Sequence, residues 1–498
     1  MGAVVFLFLL AFLFTKVSWV FRDNKEEARI DIAGYKNLKG VDIVLYGGST
    51  ELRYYSPVDA FRKAGLTSYN YATSSARCDI VKEFIEDSRM TNNPKLYVID
   101  LRTITMLDDL DVVNSTIRNW SDSLNVFSPI RWKGITASLR GREMSIADNM
   151  SYYFDIARYH SYKPGDVLAN PQNWAFMAPR SIHNTDKGFA PNTFSEPFDM
   201  PTPTEERAEL TEQEKKALER TLEYCDRKKL NVLFIVAPFA VSEEEQKVFN
   251  TCGDIITQRG YDFLDCNHHY EEIGLDFETD LSDINHVNYV GAQKYTDYLT
   301  DYFVAHYELP DHRNDPAYAS WTEDYQMMQD ERSQWEAEIS EDITSHLEAR
   351  EKALKMPSLD TFKEWYRLIR NTNFTVVIRI NGSIPYVRGT DASFDSFLKA
   401  YGIDETADHY IGIWFCTRSV VSSHEDLRGQ CEIGIDNGRG TDTCIVSVGD
   451  LPQLSVAGTD YCNPLALIQI LVYDDNYKSV ADCVTVSIND NGQVQLSR

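Results

Sequence analysis

Read as a pattern of apolar and polar positions, the chain divides into stretches of different rhythm. Gly2 to Phe21, GAVVFLFLLAFLFTKVSWVF, is apolar almost throughout, interrupted by Lys16 near its far end. About 20 such residues in a helix rise ~30 Å, the thickness of a bilayer's hydrocarbon core, so residues 1–21 are expected to form a transmembrane anchor. Over residues 36–310, short apolar runs alternate with amphipathic segments. VDIVLYGGST, LTSYNYA, KLYVIDL, NVLFIVAP and YDFLD read as buried strands. The segments around Pro57–Lys63, IVKEFIEDSR, TEQEKKALERTLEYCDRK, EEEQKVFNTCGDIITQRG and GAQKYTDYLTDYFVAHY read as helices between and after them. Thr211 and Glu214 have the spacing of a capping box. Strands alternating with helices in this way predict an α/β domain with a parallel sheet.

The rhythm breaks over about residues 103–205, which are rich in Tyr, Trp, Asn and Pro; this stretch is expected to be an insertion covering the carboxyl edge of the sheet. Trp120, Trp132 and Trp174 within it are candidates either for stacking sugar rings or for packing a lid. Residues 315–356 then carry Trp321, Tyr325, Met328, Trp335, Ile339, Ile343 and Leu347 on one helical stripe, a seam for packing on the preceding domain or for a coiled-coil dimer. Beyond Pro357, β-branched runs such as FTVVIRI, HYIGIWF, CIVSVG and LIQILVYDD predict a separate α+β or β-rich domain, 357–498.

Composition narrows the function. A formal charge of −27 argues against a nucleic-acid surface, which needs clustered Lys and Arg. The nine cysteines form no CxxC pair, and five of them (Cys416, Cys431, Cys444, Cys462 and Cys483) fall near the end of the chain. In an oxidising compartment, one or two disulfides are expected there. A cleaved signal peptide is the alternative reading of the first segment. The lack of a basic start and of a small-x-small cleavage site favours an uncleaved anchor. That placement makes the protein a single-pass protein of the cell membrane with an extracytoplasmic body.

The chemistry gathers in two short motifs. Ser49 follows a strand and two glycines, Gly47 and Gly48, at the end of the sheet where open α/β folds hold their sites. Asp283 and His286 lie three residues apart in DLSDINHVNYVGAQKY, before a helix that Asn288 can cap. A carboxylate at that spacing reaches one imidazole nitrogen and leaves the other free to take a serine proton. Metal ligation by Asp283 and His286, or by Cys266, His268 and His269, is the competing reading; neither set has a well-spaced third or fourth ligand, and neither a metal nor a cofactor is expected.

A serine on the first strand followed, far downstream, by Asp-x-x-His before the last helix resembles the SGNH (GDSL-like) hydrolases. YGGST, APFAVSEEEQKVFN and EEIGLDFETDLSDINHVNYVGAQKYTDYL resemble their membrane-tethered branch, the D-alanyl transfer proteins of teichoic-acid modification and the alginate-type O-acetyltransferases. The resemblance covers roughly residues 36–306. It implies a three-layer α/β/α fold in which Ser49 is the nucleophile, His286 the general base and Asp283 its partner. Gly48 and Ser75 fall at oxyanion positions, Ser75 where the family has glycine. The family's GxND block has no counterpart, and Arg102 in IDLRT stands in its place as the candidate substitute. The activity implied is acyl transfer through Ser49 onto a cell-surface polysaccharide or cell-wall polymer, with a membrane-bound O-acyltransferase as donor partner. A carbohydrate acyl esterase with the same triad and a non-catalytic membrane-anchored scaffold remain as alternatives. In the tail, FTVVIRING, VRGTDASFDSFLKAYGID and ALIQILVYDDNYKSVADCVTVSI resemble an interleukin-like domain, which implies a carbohydrate- or partner-binding module.

Overall fold

The computed structural model describes residues 2–22, 32–107, 117, 119–140, 142–154, 157, 169–175, 183–370, 372, 374–404, 409–415, 418–423, 430–436 and 440–498. Two compact units emerge, one of residues 1–194 and 199–339, the other of residues 195–198 and 340–498.

In the first unit, Gly2–Phe21 forms one helix, long and apolar enough to cross a membrane. Its residues are mostly exposed as far as Leu13, whereas Ser18, Val20 and Arg22 at its far end are buried. The sheet comprises β1 (Ile43–Tyr46), β2 (Ser68–Asn70), β3 (Leu96–Asp100), β4 (Val232–Val236) and β5 (Asp262–Asp265), in the spatial order β2-β1-β3-β4-β5. Every neighbouring pair is parallel. Successive connections therefore leave β1 on one side and β3 on the other, opening a crevice at the carboxyl ends of these two strands.

Both faces of the sheet are buried, which is why the strands read as continuous apolar runs. Val44, Tyr46, Tyr97, Ile99, Val232 and Phe234 share one core with the helices Val81–Ser88, Glu212–Lys228 and Glu243–Gln258. The alternate residues Ile43, Leu45, Leu96, Val98, Leu233 and Ile235 are equally sequestered. The helix Pro57–Ala64 packs against Tyr289–His306. The Thr211–Glu214 capping box forms as expected, and Ser242 with Glu245 makes a second one that starts the next helix. Each N-cap contributes about 1 kcal/mol to its helix.

One open alternative resolves and one expectation needs correction. Trp120 is 1% exposed and stacks on Phe84 at 5.4 Å, so it belongs to the core and presents no sugar platform. Trp132 and Trp174 remain partly exposed. The amphipathic segment does not run as one helix: Ala319–Met327 and Gln329–Lys355 are separate, with Met328 between them. Its first part is the packing seam. Trp321 stacks on Phe61 at 5.4 Å, Trp335 meets Tyr289 at 5.1 Å, and Arg332 pairs with buried Asp59 at 2.5 Å.

The second unit is α+β, built on two antiparallel sheets. The larger runs, in spatial order, Arg418–Ser423, His409–Phe415, Phe374–Asn381, Ile468–Asp474, Ser479–Ile488 and Val494–Ser497, and the smaller Gln430–Asp436, Thr441–Ser447, Gln453–Val456 and Thr459–Asp460. One core lies between the larger sheet and the helices Phe362–Ile369 and Ala392–Ala400. A second lies between the sheets, where Val377, Ile411, Ile413 and Leu471 meet Cys444, Val446, Leu454 and Val456. Cys431, Cys444, Cys462 and Cys483 are free thiols, so the expected disulfides are not formed among them. Cys416 lies outside the described residues.

Candidate active site

The site is built where β1 ends. Neither Gly47 nor Gly48 has a positive φ, and Gly47 is needed for space. A Cβ on Gly47 would lie 2.0 Å from Glu51 Oε2, and one on Gly48 would lie 3.3 Å from Thr103 and 3.4 Å from the Ala76 carbonyl. The chain then enters the short helix Ser49–Tyr54, whose first residue is the serine. Ser49 Oγ lies 2.7 Å from His286 Nε2. His286 Nδ1 lies 3.0 Å from each oxygen of Asp283. Residues 237 positions apart thus meet as a hydrogen-bonded chain of hydroxyl, imidazole and carboxylate.

The Asp283–His286 turn is held from several sides. The Asn285 amide donates to Asp283 Oδ1 at 2.7 Å. The Asn285 carbonyl accepts from Tyr54 Oη at 2.9 Å and from Arg102 Nη1. Arg102 Nη2 also donates to Asn285 Oδ1 at 2.8 Å, and the guanidinium lies 3.9 Å over the Phe239 ring. Ala240 N donates to the Ile284 carbonyl at 3.2 Å. Asn288 caps the following helix through the amides of Val290 and Gly291. The closing part of the insertion borders the same side, where Asn192 bridges to Asn288 and donates to Ser282 Oγ at 2.7 Å.

Burial raises the Asp283 carboxyl. The His286 hydrogen bond and charge, the Asn285 amide and Arg102 outweigh that and leave it below the usual carboxylate range. The carboxylate is therefore ionised at neutral pH. Asp283 and His286 side chains are 39% and 22% exposed, so solvent reaches the triad.

Ser75 sits in the turn Thr73–Ala76, closed by Ala76 N donating to the Thr73 carbonyl at 3.0 Å. Its φ of 59° is in the left-handed region, which costs a serine about 1 kcal/mol and a glycine almost nothing. Asn119 steadies the turn by donating to the Ser74 carbonyl at 2.9 Å. The proximity of Ala76 to Gly48 brings this turn alongside the serine loop. Arg102 is placed differently from its expected oxyanion role: both terminal nitrogens are engaged by Asn285, where they hold the triad turn. Arg102→Ala should lower kcat about 100-fold with KM little changed, since a displacement of about 1 Å at the reacting group costs that much. Ester turnover at several substrate concentrations separates the two parameters.

Beneath the serine lies a pair of acids with no counterpart in the sequence expectations. Glu51 and Asp100 are each 2% exposed. Thr50 Oγ1 bridges them, 3.0 Å from Glu51 Oε2 and 2.6 Å from Asp100 Oδ2. Burial first, then the charge of Asp100, pushes Glu51 well above the usual range. Burial also raises Asp100, against the Thr50 hydroxyl and the Arg102 amide. Like charges this close hold one proton between them. A raised folded pKa gives stability that is present below the unfolded value and lost as pH rises through the folded one. Glu51→Gln, neutral throughout, should therefore gain stability over the wild type as pH rises from mildly acidic to alkaline, which thermal melts across that range would reveal.

Among the described residues, no group of three or more His, Cys, Asp or Glu is arranged as a metal's ligand set. His268 bonds Gln246 at 3.1 Å and His269 bonds Glu272 at 2.8 Å, while Cys266 is fully buried. No protein-family model and no curated protein matches this chain.

Proposed function

We propose that the protein is a membrane-anchored serine acyltransferase of the SGNH type, working on the extracytoplasmic side. The observation that carries this reading is the contact chain Ser49–His286–Asp283, at 2.7 and 3.0 Å. Neutral His286, with Nδ1–H donated to Asp283, accepts the Ser49 proton at Nε2 as Oγ attacks an acyl ester carbonyl. In this reading the oxyanion is stabilised at the Gly48 and Ser75 positions. Collapse expels the donor's alcohol, which takes the proton from His286, and leaves acyl-Ser49. A hydroxyl of a cell-surface polysaccharide or cell-wall polymer then gives its proton to His286, attacks the acyl carbon and releases Ser49. The helix Gly2–Phe21 tethers this chemistry to the membrane, where a membrane-bound O-acyltransferase supplies the acyl group and the tether raises its effective concentration.

The exposure of Asp283 and His286 favours a second outcome from the same intermediate, since water reaching acyl-Ser49 makes the protein an esterase. Fluorophosphonate labelling of the wild type beside Ser49→Ala tests the shared step. Labelling of both proteins alike, or of neither, overturns the reading.

A further inference from the structure

Two cavities meet at Phe127. The first is an apolar groove of about 750 Å³, walled by Leu7, Leu10 and Phe14 of the N-terminal helix and by Phe127 and Phe154 of the body. Phe14 packs 5.7 Å from Phe127 and 6.0 Å from Phe154. The second, of about 760 Å³, places Phe127 and Trp132 among Lys82, Lys133, Arg140 and Arg220.

Depth decides what faces the groove. Arg22 is buried and donates to the Asp122 carbonyl, which ties the helix end to the body. Phe14 and Leu7 precede Phe21 by about 10 and 21 Å along the helix at 1.5 Å per residue. If the helix crosses a bilayer of ~30 Å, Phe127 and Phe154 beside it lie within hydrocarbon. The neighbouring surface suits the headgroup boundary. Trp132 packs on Tyr153 and Phe154, an aromatic group of the kind found at membrane interfaces. Ile146 and Met150 of the next helix are exposed.

Charge points the same way. In a chain of net charge −27, the stretch Pro129–Arg142 carries Arg131, Lys133, Arg140 and Arg142 and no acid. Behind the walls of the second cavity, Glu83 pairs with Lys82 at 3.1 Å and Arg220 at 2.5 Å, and Glu86 with Lys133 at 3.3 Å. Lys82, Lys133, Arg140 and Arg220 line that cavity with no carboxylate among its walls, while Arg140 and Arg220 also border Asp79, Glu143, Glu219 and Glu223 on the adjoining side. Arg140 has no ion pair among the described residues.

We propose that these joined cavities bind an anionic phospholipid of the surrounding bilayer, its acyl chain in the groove and its phosphate beside Arg140 and Lys133. The site rests on the reading of Gly2–Phe21 as a membrane anchor. Such a lipid would fix the height and tilt of the body over the membrane.

The test uses the full chain in vesicles where either phosphatidylglycerol or phosphatidylcholine, at equal mole fraction, is brominated on its acyl chains. Trp132→Phe and Trp19→Phe identify which tryptophan is quenched. Quenching of Trp132 should be about fivefold more effective with brominated phosphatidylglycerol. Arg140→Gln should remove that preference, one basic side chain at an anionic surface being worth about that factor. Inorganic phosphate should not compete. Quenching of Trp19 without Trp132 overturns the site and leaves the anchor. Equal quenching by both lipids, a preference that survives in Arg140→Gln, or relief by inorganic phosphate also overturns it. Quenching of neither tryptophan sinks the anchor reading itself.

Discussion

Ser49→Ala is expected to abolish both fluorophosphonate labelling and turnover of p-nitrophenyl acetate, with a loss in kcat of at least about 10⁴-fold. Members of a triad act as a unit, so removing one forfeits most of the acceleration that the unit supplies. The same reasoning predicts that His286→Ala alone costs about as much as the double variant. The substitution should leave the fold intact. The Ser49 side chain is only partly buried, Gly48 gives the short helix no side-chain cap, and the loop is shaped by the Gly47 and Gly48 contacts instead. An unchanged melting temperature beside lost labelling therefore locates the defect in chemistry. Labelling that persists in Ser49→Ala would place the reactive nucleophile elsewhere and remove the basis of the proposed mechanism.

Much of the frame was legible because it depends on near neighbours in sequence. The strands announced themselves as apolar runs and Thr211 with Glu214 as a helix start. The Asp-x-x-His spacing alone implied a carboxylate within reach of an imidazole. Ser242 and Glu245 spell the same capping signal, and only the helix itself was read from that stretch. What escaped the sequence depends on partners far apart in the chain. Nothing near Arg102 indicates that it clasps Asn285, 183 positions away, or that Tyr54 shares the same carbonyl. The Glu51–Asp100 pair was hidden because each acid, taken singly, looks like an ordinary surface residue; only the register of β1 beside β3 buries them together. Sequence alone leaves Trp120 between a sugar platform and packing, and its stacking on Phe84 decides for packing. The place of the glycines was legible, but the crowding of Gly47 by Glu51 was not.

Asp283→Asn separates orientation from mere presence of the histidine, and its effect should be nearly as large, a drop of about 10⁴-fold in kcat. The Asn285 amide donates to Oδ1 of residue 283 at 2.7 Å, so an asparagine must keep its carbonyl oxygen there. Its NH2 group then occupies the Oδ2 position, 3.0 Å from His286 Nδ1. With that donor and the Oδ1 carbonyl oxygen both 3.0 Å from Nδ1, the tautomer with bare Nδ1 and protonated Nε2 becomes accessible, and protonated Nε2 has no lone pair for the Ser49 proton. Stability should respond far less than activity. The lowered pKa of Asp283 contributes stability that is present above the usual carboxylate range and lost as pH falls through its folded value. With 39% of the side chain exposed, solvent screens that contribution. Near neutral pH the variant should melt close to the wild type, and its stability should fall less steeply on acidification. Rate profiles and melts on the same preparation distinguish the two effects: a collapse of kcat without a matching loss of stability assigns Asp283 to the tautomer of His286, whereas parallel losses would make it a structural residue of the turn.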